Sequence, residues 1–219
     1  MAHTILLNQV HLGLRQIQQI KMNQEKNDIL RAIAQPAATT SDFDLNPNGN
    51  HSAVELKSAG VLFPLIVRPD GVNLILTKRS AQLSNHPGQI SFPGGKRENG
   101  DANIVFTALR EAQEEIGLYP ESVDVLGSLP THDTITGFKI TPTIGWIEGD
   151  WDAVADPNEV SEIFEVPFVQ LMKLENFHLQ TRAWKGVNRS YYSVPYGPYY
   201  IWGATAGILR GFCKQMGRL

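Results

Sequence analysis

Residues 103–116 have helical spacing, end at Gly117, and carry three glutamates, Glu111, Glu114 and Glu115. At about 100° per residue, Glu111 and Glu115 stand one above the other and Glu114 lies beside them. Like charges so placed repel by about 0.2–0.5 kcal/mol per pair. A solvated helix face usually intersperses lysines among its acids. This cluster instead asks for a compensating cation, and hard carboxylate oxygens favour Mg²⁺, Mn²⁺ or Ca²⁺ over zinc. Arg110 is spaced to pair with Glu114 at i+4, or to reach a neighbouring loop and hold it. On Arg110–Gly117 alone, a solvated acidic surface helix is an equally good reading.

The flanking residues favour a site. Pro93-Gly94-Gly95 precedes the helix, and paired glycines let backbone approach backbone or phosphate closely. Glu98 and Asp101 lie in the loop that enters the helix. A glycine-rich bend, an acidic entry and a glutamate-rich helix together suit a metal held against a diphosphate. Such an ion neutralises oxygens, orients the substrate and acidifies a bound water, and a nearby carboxylate takes the proton.

The rest of the chain is organised around this segment. With 219 residues, the length fits one large domain, or one domain with a small extension. At 42% hydrophobic residues the chain can build a core, and no apolar run approaches the ~18–20 residues of a membrane span. A net charge of −3 argues against a nucleic-acid-coating protein. A single cysteine, Cys213, excludes an intramolecular disulfide and a cysteine-cluster metal site, and reads as a buried apolar residue. It fits a reducing compartment, so a cytoplasmic location is expected, with a mitochondrial one as the lesser alternative.

Near the N-terminus, Ile5, Leu6, Val10, Leu14, Ile17 and Ile20 recur at helical intervals. They predict an amphipathic helix that packs on the domain or supports a homodimer. Residues 35–53, rich in Ser, Thr, Asn, Pro and Asp, read as a loop or linker. The expected division is therefore an extension over 1–53 and a main domain over 54–219. In the latter, KSAGVLFPLIVR and VNLILTKR read as strands joined by a turn at Pro69-Asp70-Gly71. VDVLGSLPTH, FKITPTIGWIEG, FHLQTRAW and RSYYSV read as further strands, and VPFVQLMKL and ATAGILRGFCKQM as helices. Strands on both sides of a helix without regular alternation predict an α/β fold: a mixed sheet covered by helices on both faces.

The segment from Gly95 to Leu118 resembles the signature of the Nudix hydrolases, G-x5-E-x7-R-E-U-x-E-E-x-G-U, where U is a bulky aliphatic residue. Arg110, Glu111, Glu114, Glu115, Gly117 and Leu118 fall in register. Asp101 replaces the usual Glu, the spacer is one residue longer, and Ala112 fills the first aliphatic slot. The stretch from Ile75 to Gly95 further resembles the motif of coenzyme A diphosphatases, L-L-T-x-R-[SA]-x3-R-x3-G-x3-F-P-G-G. Leu76-Thr77, Arg79, Ser80, Gly88 and Phe92-Pro93-Gly94-Gly95 match, while Ile75 and Ser84 depart from it. Trp202–Ala206 is also similar to this subgroup.

The resemblance implies a Nudix-type α/β/α sandwich and a small-molecule substrate, with neither nucleic acid nor membrane as partner. The implied reaction is Mg²⁺- or Mn²⁺-dependent cleavage of coenzyme A or its thioesters to 3′,5′-ADP and (acyl-)4′-phosphopantetheine. Glu111, Glu114, Glu115 and Asp101 become the candidate metal ligands. Arg79, Ser80, His86, Gly88, Gly94, Gly95 and Lys96 become candidate substrate contacts. Arg110 orients the catalytic loop, and Glu159 or Glu162 joins the box glutamates as candidate base. Ser84 cannot pair bidentately with a phosphate as an arginine would, which implies either weaker selection for the 3′-phosphate or a substitute cation such as Lys78, Lys96 or Arg97. The remaining alternatives are another nucleoside diphosphate derivative as substrate, or a nucleotide-binding module without catalysis. Three further features carry less. His132-Asp133 reads as a structural turn rather than a base, His86 as a phosphate contact or a plain loop residue, and the tyrosines from Tyr191 to Tyr200 as strand residues rather than a base-stacking platform.

Overall fold

The computed structural model describes residues 2–47, 55–184 and 186–217. In chain order its elements are α1 (Ala2–Ala34), β1 (Thr40–Ser41), β2 (Lys57–Arg68), β3 (Gly71–Arg79), β4 (Ile90–Ser91), β5 (Gly94–Lys96), α2 (Ile104–Ile116), β6 (Asp124–Ser128), β7 (His132–Asp133) and β8 (Phe138–Ile147). Then follow β9 (Val160–Pro167), α3 (Phe168–Leu171), β10 (His178–Trp184), β11 (Val187–Tyr196), β12 (Tyr199–Trp202) and α4 (Ala204–Met216).

The larger sheet is mixed, ordered β1-β7-β8-β2-β3-β4, with β5 also on β2, β6 on β8 and β9 on β3. β2 is its centre. It runs parallel to β8 from Lys57 to Ile66 and antiparallel to β3 through the Pro69–Asp70 turn. Pro64 sits inside this central strand, where a missing N–H normally breaks a ladder. Leu62 donates its N–H to Pro93, so Pro64, two residues on, faces the same edge. There β5 pairs only up to Val61 and β3 begins only at Leu65, so the absent donor falls in a gap.

Alternation along β2 and β3 builds a core on each face. Leu62, Ile66 and Ile75 meet Ala108, Ala112 and Ile116 of α2. Phe63, Leu65, Leu74 and Leu76 face the other way, into a cluster with Phe168, Ile208, Leu209 and Phe212 from α3 and α4. The result is the expected mixed sheet covered on both faces. Helix α2 is capped at its start by Asn103, whose side chain accepts the Phe106 N–H at 2.9 Å, and at its end by left-handed Gly117.

The N-terminal segments differ from their sequence reading. Helix α1 extends to Ala34, and its anchoring residues are Ile29 and Ala32, both fully buried against the α4 face. Ile20, expected on the packing face, is 66% exposed. The side chains of Ile5, Leu6, Val10, Leu14 and Ile17 lie outside the described residues. Gln215 of α4 donates to the carbonyls of Ala32 and Gln35, capping the end of α1. The segment expected as linker is partly built into the fold. Thr40 and Ser41 pair with His132 and Asp133, and Asn46 exchanges two side-chain hydrogen bonds with the backbone of Ser190. It thereby joins the larger sheet to the three-stranded β10-β11-β12 sheet. Among the described residues no helix is long and apolar enough to cross a membrane.

If the end of α1 belongs to the core, Ile29→Ala lowers unfolding stability by about 2–5 kcal/mol, whereas Ile20→Ala changes it by less than about 0.5. Chemical denaturation of both variants measures this. Equal, small effects would detach α1 from the domain.

Candidate active site

Helix α2 lies close against β2 and β5. A Cβ on Gly60 would stand 2.5 Å from the Ile104 carbonyl, and one on Gly95 would stand 2.5 Å from the Glu111 carboxyl. Glycine at both positions therefore lets the first glutamate of the cluster sit directly over the β5 backbone. One turn later, Glu115 points inward and is 2% exposed. One of its oxygens accepts the Gly94 N–H at 3.1 Å, and the other lies 3.8 Å from an Arg79 nitrogen. Glu114 faces solvent.

Arg110 ties the helix to the loop before it. Its guanidinium bonds both oxygens of Asp101 at 3.0 and 3.2 Å, and also Glu111 at 3.0 Å and Glu114 at 2.9 Å. These contacts match both roles expected for Arg110 from spacing, the i+4 pair and the loop clasp. Asp101 is not brought to the glutamate cluster as a free fourth carboxylate. Arg110 takes both its oxygens, one of which also receives the Thr107 hydroxyl and the Glu98 N–H, each at 2.9 Å. Arg110 and these donors hold its carboxyl well below the usual carboxylate range. The structure thus makes Asp101 the lock between loop and helix rather than an open ligand. Buried Thr107 is part of this lock, and nothing in the sequence singled it out.

The electrostatics of the glutamates run the other way. Burial raises Glu115 to about 8, against the lowering effects of the Gly94 N–H and Arg79, and Glu111 and Glu159 push it further up. Burial also raises Glu111, with Arg110 opposing and Glu114 and Glu159 adding. Glu159 is therefore close enough to act on both. Its backbone is fixed at the mouth of the site, since its carbonyl accepts the Ser80 N–H at 2.8 Å where β3 ends. Asp156, three residues earlier, donates its N–H to the Glu115 carbonyl at 3.0 Å, so this loop is pinned to the end of α2. Glu162 is directed elsewhere: the Tyr199 hydroxyl donates to it.

The remaining candidates fall in two groups. Arg79, Gly94 and Gly95 contact the glutamates directly. Ser80 is buried beside them, its N–H spent on Glu159. His86 and Gly88 occupy the exposed Ala81–Gln89 loop, closed by Gly88 N–H to the Arg79 carbonyl. Lys96 is exposed on β5, and its carbonyl accepts from Arg110.

The donor set fits a divalent cation. The Glu111 and Glu115 carboxyls are both raised by burial and by neighbouring carboxylates, and a cation is the species that relieves this. Among the described residues no three His, Cys, Asp or Glu side chains are gathered as a finished ligand set. Glu111 and Glu114 are turned onto Arg110, and Glu115 onto Gly94.

The chain is similar to known proteins over much of its length. A model of the NUDIX domain matches residues 57–191. Proteins named uncharacterized Nudix hydrolase NudL, from Cronobacter sakazakii and Escherichia coli O1:K1, are 40% and 39% identical over 173 residues, which is 79% of this chain and 90% of each relative. Among solved structures, a MutT protein from Methanosarcina mazei aligns with a TM-score of 0.48 at 18% identity, over 76% of this chain and 97% of that one. An Ap4A hydrolase from C. elegans aligns with a TM-score of 0.45 at 15% identity, over 51% of this chain and 80% of that one.

Folding raises the Glu115 pKa from 4.5 to about 8, so the folded chain keeps a proton that the unfolded chain has lost. Its contribution to stability is complete below pH 4.5 and disappears as the pH climbs through about 8. In metal-free protein the thermal midpoint should fall across that window, and Glu115→Gln should flatten the fall. Parallel curves for the two proteins would contradict the assignment.

Proposed function

Because this chain belongs to the Nudix hydrolases, which cleave phosphorus-containing anhydrides, we propose that its substrate is coenzyme A or an acyl-CoA, cut at the diphosphate to 3′,5′-ADP and (acyl-)4′-phosphopantetheine. One observation supports this substrate above the others. The stretch that resembles the coenzyme A motif leaves β3 at Arg79 and returns in β5 at Gly94, and both of these residues contact the Glu115 carboxylate. The segment that would recognise the substrate is thus anchored at both ends on the group that would hold the metal.

Glu111, Glu114 and Glu115 would hold the ion, Mg²⁺ or Mn²⁺, after Glu111 and Glu114 turn from Arg110. When bound, the metal supplies charge neutralisation on the diphosphate and a more acidic water. The chain's own groups do the rest. Arg79, partly buried at the mouth, offers a fixed cation to a phosphate oxygen. Gly94 and Gly95 carry no Cβ, so Val61 and the Glu111 carboxyl pack directly against the β5 backbone and keep the metal-holding group close to it. Arg110 and Asp101 keep that loop in register with α2. Of the two carboxylates considered outside the helix, Glu159 stands near Glu111 and Glu115 and is exposed, so it is the one suited to take the proton of the attacking water. Ser84 is exposed in the motif loop, and Lys78, Lys96 and Arg97 are exposed cations available to compensate for it.

Incubation with CoA, dephospho-CoA, NADH and ADP-ribose, with products identified by mass, tests the reading. It expects 3′,5′-ADP from CoA at the highest kcat/KM. Preferred turnover of ADP-ribose or NADH would move the reading to another nucleoside diphosphate derivative. Glu159→Gln should lower kcat about 10²- to 10⁴-fold with the melting temperature unchanged. Unchanged kcat would return the base to the helix glutamates.

A further inference from the structure

At the β1–β7 end of the sheet, on the α4 face, the chain lines an open cavity of about 310 Å³. That volume is at the lower end of the ~300–1,000 Å³ range of small-molecule sites. It is separate from the glutamates, which lie under α2 on the other face. Its polar groups divide into those the fold uses and those it leaves over.

The acidic wall is mostly used. Asp42 bonds the His132 ring at 3.2 Å with one oxygen and accepts the Ile135 N–H at 3.1 Å with the other. The other ring nitrogen of His132 meets the Thr40 hydroxyl at 2.8 Å. Asp44 commits one oxygen to the Ser41 N–H at 2.9 Å, which leaves its second oxygen as an acceptor. Gly207 and Gly211 let His132 and Thr40 pack on α4 and fix this wall in place.

The basic wall is left over. The Arg210 guanidinium is held 4.1 Å from the centre of the Tyr192 ring, and Lys214 follows one helical turn later. Among the described residues neither has a carboxylate within ion-pair distance. Tyr191 also lines the cavity, with its ring packed 5.2 Å from that of Trp202.

We propose that this cavity binds a phosphorylated ribose of the nucleoside monophosphate class. The phosphate lies between Arg210 and Lys214, the ribose hydroxyls donate to Asp44, and the base meets Tyr191. A doubly charged phosphate suits two cations without a carboxylate partner, whereas hydroxyl donors suit the remaining acid oxygen. The proposal does not depend on the substrate of the catalytic site.

The test is a titration of ¹⁵N-labelled full-length protein in EDTA with AMP, ribose 5-phosphate and inorganic phosphate in turn, read by amide shifts. AMP should shift Tyr192, Gly207 and Gly211, with ribose 5-phosphate weaker and phosphate weakest. Arg210→Gln with Lys214→Gln should weaken AMP at least about tenfold while hydrolysis at the glutamate site is unchanged. Lys214→Gln alone, at an exposed position, should weaken it severalfold, and it keeps the test readable if the double variant does not fold. Shifts confined to Gly94 and Gly95, no shifts, or an undiminished affinity in Lys214→Gln would overturn the site. Inorganic phosphate binding as tightly as AMP would overturn the ribose assignment.

Discussion

The distance between α2 and the strands beneath it decides what this molecule can do. Gly60 and Gly95 leave no Cβ between helix and sheet, so the carboxyl of Glu111 rests on β5 and that of Glu115 reaches the Gly94 N–H. An alanine at either glycine would push carboxylate and backbone apart. With the glycines in place, burial itself makes the chemistry. Glu115 sits where its charged form is expensive, and neighbouring carboxylates make it more so. A site that leaves acids this strained is prepared for a cation.

Rigidity comes from a second arrangement around the first. Arg110 bonds Asp101, Glu111 and Glu114 at once, so the loop from Lys96 to Asp101 cannot move independently of the helix. The Asp156–Glu159 loop is fixed to the end of α2 on one side and to Ser80 on the other. Strand end, glycine bend, helix and loop thus meet around Glu115, and the family's hydrolytic chemistry needs such positioning more than any single reactive group.

What could be read from the sequence was what local signals determine. The Pro69–Gly71 turn, the Gly117 stop and the final helix each depend on residues a few positions apart, and all stand where they were expected. The glutamate spacing likewise placed Glu111 and Glu115 one turn apart on the side of α2 that faces β5, because i and i+4 are fixed by the helix itself. Strands of two or three residues, such as Thr40–Ser41 and Gly94–Lys96, were not legible. They exist because a partner strand is there, not because of a pattern of their own. The anchoring of α1 through Ile29 and Ala32 was not legible for a related reason, since the regular apolar spacing runs from Ile5 to Ile20 and ends before the buried turn. Asp101 matched a ligand position in the signature, yet three-dimensional proximity gives both its oxygens to Arg110. The nearness of Glu159 to Glu115 depends on the Ser80 backbone, nearly eighty residues earlier in the chain.

The account rests on Glu111, Glu114 and Glu115 sharing one divalent ion beside the Gly94–Gly95 backbone. Diffraction from crystals soaked in manganese, collected at a wavelength where that metal scatters anomalously, measures this directly. The account expects an anomalous peak bonded to oxygens of these glutamates, with Arg110 retained on Asp101. Fully soaked crystals with no peak there, and with Glu111 and Glu114 still on Arg110, would contradict it.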